Sequence, residues 1–102
     1  MRKVMQQIVS AFNKGEAKSI GNTNTDGKSI FLHGNKIITN TKGFKTVFSF
    51  AGWDSNVTKE RISALFNVRK SKGQLLLNGK PIDPSKWYDS DGLEVDEKDL
   101  VL

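Results

Sequence analysis

An α+β fold is predicted by three observations. An apolar stripe of helical period runs through residues 3–14. Short segments punctuated by glycine turn pairs fill residues 17–50, and helical spacing returns at residues 57–68. Helices and antiparallel strands segregated in this way, with no repeat and no low-complexity block, belong to the α+β class. The chain has 102 residues, enough for one domain that buries about two-thirds of its unfolded surface.

The first helix rests on Val4, Ile8 and Phe12 at i, i+4 and i+8, with Met5, Val9 and Ala11 beside them and Gln6, Gln7, Ser10 and Asn13 opposite. Lys14 complements the negative helix end, and Gly15 can turn left-handed to stop it. Asp26-Gly27 and Gly34-Asn35 then separate segments 18–23, 28–33 and 36–40, because such pairs supply the positive φ that tight hairpins need. Lys42-Gly43 leads into segment 44–50, where Phe44, Thr46, Phe48 and Phe50 alternate with Lys45, Val47 and Ser49. Period two predicts all three Phe on one sheet face, against the first helix. Residues 17–50 thus read as a four-stranded antiparallel meander.

In residues 57–68, Ile62, Leu65 and Phe66 form the buried stripe of a second helix, with Lys59, Glu60, Ser63 and Asn67 outside. Thr58 is the expected cap, with Val57 and Ile62 at the staple positions. Arg69-Lys70-Ser71-Lys72-Gly73 reads as a basic connector. A C-terminal β-hairpin follows, with segment 74–77, the turn Asn78-Gly79 and segment 80–82, which Pro81 confines to an edge. Residues 87–102 read as an acidic tail on a basic domain of residues 1–86. Leu93, Val95, Leu100, Val101 and Leu102 are too apolar for plain disorder and predict that the tail docks in part.

Charge and composition narrow the functional classes. The net charge is +5, but residues 1–86 hold 15 basic and 5 acidic side chains, a net +10. Residues 87–102 hold Lys98 against Asp89, Asp91, Glu94, Asp96, Glu97 and Asp99, a net −5. A basic body attracts polyanions, and an acidic tail can fold over it, compete with the polyanion, or simply stay in solvent. The absence of Cys removes disulfides, thiolate metal sites and thiol nucleophiles. His33 is the one histidine, which disfavours a triad or a His-based metal site, so no cofactor is expected. No apolar run is long enough for a membrane span and no secretory segment follows Met1, so a soluble intracellular protein is expected.

Candidate binding residues are Lys42 and Lys45 near the Phe segment, Trp53 in the following loop, Lys59 and Arg61 on the second helix, and Arg69, Lys70 and Lys72 in the connector. Cations interleaved with aromatic rings suit a nucleic-acid strand, the cations tracking phosphates and the rings stacking on bases. The plainer alternative is a core for the Phe residues and a solvated loop for the cation cluster. His33 at a strand end suits turn hydrogen bonding better than catalysis. Asp89-Ser90-Asp91-Gly92 fails as a calcium loop, since Trp87 and Lys98 fall on the first and last ligand positions. There is no Walker-type phosphate loop. Glu16, Asp26, Asp54 and Glu60 leave a nuclease-type metal site only as a remote alternative.

Four ordered stretches resemble a family of small tailed-phage proteins. They are Leu32-His33-Gly34-Asn35-Lys36-Ile37, Ala51-Gly52-Trp53, Thr58-Lys59-Glu60-Arg61-Ile62, and Lys72-Gly73-Gln74 with Leu77-Asn78-Gly79. Leu75 and Leu76 stand where that family has Trp-Tyr, Val57 stands where it has Thr, and the acidic tail has no counterpart. The resemblance implies a phage product working in the cytoplasm of a bacterial host and supplies no mechanism. The expected function is non-enzymatic binding, with nucleic acid as first partner. A host defence or replication protein, gripped through Trp53, is the second, and a small nucleotide signal the third.

Overall fold

The computed structural model describes residues 3–52 and 55–100. Helix α1 (Lys3–Lys14) buries Met5, Ile8, Val9 and Phe12 along its predicted stripe. Gly15 ends it at φ 73°, its amide bonding to Phe12 O (3.2 Å) while the Glu16 amide reaches Ala11 O (2.9 Å). These two bonds satisfy carbonyls that a helix end otherwise leaves open.

The meander has five strands, not four: β1 (Lys18–Ile20), β2 (Thr23–Thr25), β3 (Ser29–Leu32), β4 (Asn35–Asn40) and β5 (Thr46–Phe48), each antiparallel to the next. The expected strand over 18–23 splits because Gly21, at φ 59°, turns the chain there. The β3–β4 turn is His33-Gly34 (φ 51° and 81°), one position earlier than expected, so Asn35 already pairs with Leu32. Between Ile30 and Phe31 the register slips, and Ile37 is the extra residue on β4. That bulge breaks strict alternation and lets Ile37 and Ile38 both enter the core.

Helix α2 spans Asn56–Ile62, shorter than the expected 57–68 and capped by Ser55 rather than Thr58. Ser55 Oγ accepts from the Thr58 amide at 3.1 Å, which leaves Val57 41% exposed and without a staple role. The expected connector 69–73 is largely strand: β6 (Val68–Ser71), β7 (Gln74–Leu77) and β8 (Lys80–Pro81) form a separate three-stranded antiparallel sheet. Strands β9 (Trp87–Asp89) and β10 (Glu94–Val95) return to the main sheet, giving the order β1-β2-β3-β4-β5-β9-β10. A single 3-10 turn, Glu97–Asp99, then sets Leu100 opposite Thr41.

One face of the main sheet meets α1, α2 and the small sheet in a core that includes Ile8, Phe12, Ile30, Ile38, Phe48, Phe50, Ile62, Phe66, Leu75 and Tyr88. On the other face Val47 packs with Trp87 and Leu100. Of the apolar residues expected to dock the acid-rich segment, Leu100 is buried and Val95 packs against its cluster, Leu93 is 63% exposed, and Val101 and Leu102 lie outside the described residues. Among the described residues no helix is long and apolar enough to cross a membrane.

Candidate nucleic-acid interface

The cations fall into two environments. In the small sheet, residues 69–74 are exposed without a break, and Lys72-Gly73 forms a two-residue turn with φ of 51° and 80°. Positive φ at both central residues is the hairpin geometry that matches strand twist. Val68, Leu75 and Leu77 face the core. Alternation then puts Arg69, Ser71, Gln74 and Leu76 on the outer face, with Arg69 opposite Leu76 and Ser71 opposite Gln74. Residues 68–81 contain Arg69, Lys70, Lys72 and Lys80 and no carboxylate.

Around the main sheet the acidic segment pairs with Lys45 and Lys86. Lys45 Nζ lies 2.8 Å from Asp89 Oδ2 and 3.9 Å from Asp91 Oδ2. Lys86 pairs with Glu94 at 3.3 Å, and the Lys42 amide donates to Asp99 O at 2.7 Å. The segment also touches one end of the small sheet, where Asn78 Nδ2 donates to Ser90 O at 2.9 Å. The Lys72-Gly73 turn lies at the opposite end of that hairpin, about 16 Å away along the strands.

Arg61, expected at the surface, is mostly buried. Its Nε donates to Thr23 Oγ1 (3.0 Å) and a terminal nitrogen lies 3.2 Å from Glu60 Oε1, so it ties α2 to β2. Lys59 is half-buried on the same helix. Trp53 lies outside the described residues. Of the eight expected binding residues, the structure puts Arg69, Lys70 and Lys72 on one hairpin, pairs the Lys45 ammonium with Asp89, and ties the Arg61 guanidinium to Thr23 and Glu60.

Phe44 is a further correction. It stands in the tight loop between β4 and β5, at φ 64° and 90% exposed, rather than beside Phe48 and Phe50. Thr41 builds that loop: its carbonyl accepts from the Phe44 amide (2.9 Å) and its hydroxyl from the Lys45 amide (3.0 Å). An exposed bulky residue in the left-handed region is uncommon, and nothing in the alternating sequence signals it.

A cleft of about 320 Å³ opens between Leu32, Ile37, Phe50, Ala51 and Val57, with His33 and Thr58 beside them. Its described lining includes no Lys or Arg to meet a phosphate, so it suits a nucleotide signal poorly. Among the described residues no group of three or more His, Asp or Glu could hold a metal ion.

Asp89 holds the acidic segment in place. Burial pushes its carboxyl up, but the Lys45 ammonium and the amides of Leu93 (3.0 Å) and Asp91 (2.9 Å) outweigh that and leave it below the usual carboxylate value. Asp26 is lowered in the same sense, the amides of Lys28 and Ser29 (both 2.9 Å) overcoming a burial effect that opposes them. A lowered folded-state pKa contributes stability that is present above the unfolded value of about 3.9 and is lost as pH falls through the folded value. The melting temperature should therefore be flat near neutrality and fall below about pH 4. Asp89→Asn should melt lower at neutral pH and show a shallower acid decline, followed by circular dichroism across that range.

Fold and surface together describe a small α+β protein whose minor sheet carries Arg69, Lys70, Lys72 and Lys80 and no carboxylate. Over residues 1–93 the chain matches the family model of the Kyanoviridae Gp96 protein, and it belongs to that phage protein family. No curated protein and no solved structure matches it.

Proposed function

We propose that this protein is a non-enzymatic binding protein that contacts nucleic acid through its three-stranded basic sheet, in the cytoplasm of the phage's bacterial host. Charge segregation carries the reading. Arg69, Lys70, Lys72 and Lys80 share a sheet without a carboxylate, while the acidic segment is spent on Lys45 and Lys86 elsewhere. Surface cations held together on a rigid element release counterions when they meet phosphates, which makes binding steeply salt-dependent.

With up to three phosphate contacts, from Arg69, Lys72 and Lys80, log affinity should fall against log salt with a slope of about −3. Fluorescence anisotropy on labelled nucleic acid at several salt concentrations reads this directly. Lys72→Asn removes a charge with a residue that accepts positive φ, and should lower the slope by about 1 at unchanged melting temperature. Arg61→Ala should do the reverse, because its guanidinium is a tie between α2 and β2. It should cost about 1–3 kcal/mol of stability and leave the slope alone. Salt-insensitive binding would remove the reading.

Phe44 favours one second reading, docking to a host protein. A strained, outward-pointing ring suits an anchor that a partner pocket buries. Phe44→Ala should then abolish the protein contact while nucleic-acid binding persists.

A further inference from the structure

We infer that the ligand of the basic sheet is duplex DNA, with the β6–β7 ribbon lying in the major groove and Arg69, Ser71 and Gln74 facing base edges; this rests on the nucleic-acid reading above. Three features of the ribbon lead there.

The first is its outer face. Ser71 and Gln74 are directly paired, and Arg69 stands two residues from Ser71 on the same side. Arg, Ser and Gln are side chains whose donors and acceptors match the major-groove edges of guanine and adenine. The second is the placement of charge. Lys72 sits in the turn at the tip of that polar row, and Lys80 stands on the flanking β8 edge, opposite Leu77. A cation at the tip and another at the flanking edge suit phosphates that border a groove into which the row is inserted. The third is what the ribbon carries in place of rings. Leu75 is buried in the core and Leu76 is half-buried, so the ribbon has no aromatic platform on which unpaired bases could stack.

The groove itself selects the nucleic acid. The major groove of B-form DNA, about 12 Å wide, admits a two-stranded ribbon. The major groove of an RNA duplex is deep and narrow and excludes one. The docked acidic segment meets the small sheet at its Asn78 end, and residues 69–74 toward the other end are exposed.

The test is anisotropy at low salt with one mixed-sequence duplex DNA, its single strand, and an RNA duplex of the same sequence. Methylation protection of guanine N7 on the DNA accompanies it. Duplex DNA should bind roughly tenfold or more tightly than the other two, with guanine N7 protected. Arg69→Ala should lose guanine N7 protection, and Arg69→Ala and Gln74→Ala should each lose roughly tenfold in affinity while keeping the wild-type circular dichroism and melting temperature. Equal binding of the single strand or the RNA duplex, or binding without N7 protection, overturns the groove assignment and leaves the nucleic-acid reading standing. No binding to any of the three overturns both.

Discussion

Gly27→Ala should be among the most damaging single substitutions in this protein, lowering the melting temperature by roughly 12 °C or more. Gly27 sits at φ 91°, and a Cβ there would lie 2.5 Å from the Gly15 carbonyl oxygen and 2.6 Å from its carbon. Both are main-chain atoms of the turn that ends α1, so no side chain can swing aside. The substitution adds backbone strain of about 1–3 kcal/mol to a clash that must push the β2–β3 turn off the helix end. Gly34→Ala is the control. Its φ is 81°, but nothing lies within 4 Å of the added atom, so only the strain of about 1–2 kcal/mol remains. Equal losses in the two variants would mean that the helix end and the turn do not approach closely in solution.

Phe48→Ala should cost about 3–5 kcal/mol, a large part of the 5–15 kcal/mol that holds a domain of this size. Phe48 is fully buried, and its ring centre lies 4.5 Å from that of Phe66 and 6.2 Å from those of Phe50 and Tyr88. Those partners come from the loop after α2, from the end of β5, and from β9, so the cavity would loosen three parts of the fold together. The midpoint of urea unfolding should fall with little change in slope. Phe44→Ala, by contrast, should stay within about 0.5 kcal/mol of wild type, since its ring is 90% exposed. A comparable loss at Phe44 would place that ring in the core after all.

These two phenylalanines show what was legible in the sequence. Alternation correctly sends Phe48 inward, because β5 is regular. It fails at Phe44, because Thr41 closes a tight loop whose bonds are local and leave no trace in hydropathy. Helix α1 is legible to the residue, since its apolar stripe and Gly15 coincide with its real ends. Helix α2 is misplaced because Ser55, a better-positioned cap than Thr58, starts the helix earlier. Strand β6 hides as a connector because three of its four residues are exposed and give no period-two signal. Strand β9 is hidden for another reason: Trp87, Tyr88 and Asp89 are all buried, on both faces of the sheet, and the partner that makes Asp89 tolerable there is Lys45, far away in sequence. Arg69 to Lys72 lie on one hairpin because they neighbour one another in sequence, whereas Lys45 and Arg61 have their surroundings set by pairing with residues far away along the chain.

The place of β9 beside β5 also bears on how the chain acquires its structure. Strands β1 to β5 pair in order through short turns, so those contacts can form as soon as the residues exist. Pairing of Val47 with Asp89 must wait until residues 49–86 have been made and their large loop has closed. The entropic cost of closure grows with the logarithm of loop length, which makes this a late and slow step relative to the hairpins. On the ribosome the first half would emerge with one face of β5 unprotected, Val47 open to water until residues 87–100 are released. Substitutions in β3 and β4 should therefore slow folding, and substitutions in β9 should mainly speed unfolding. The acidic segment is in this sense the closing stitch of the molecule, and nascent chains that stop short of it should be the ones that aggregate or attract chaperones.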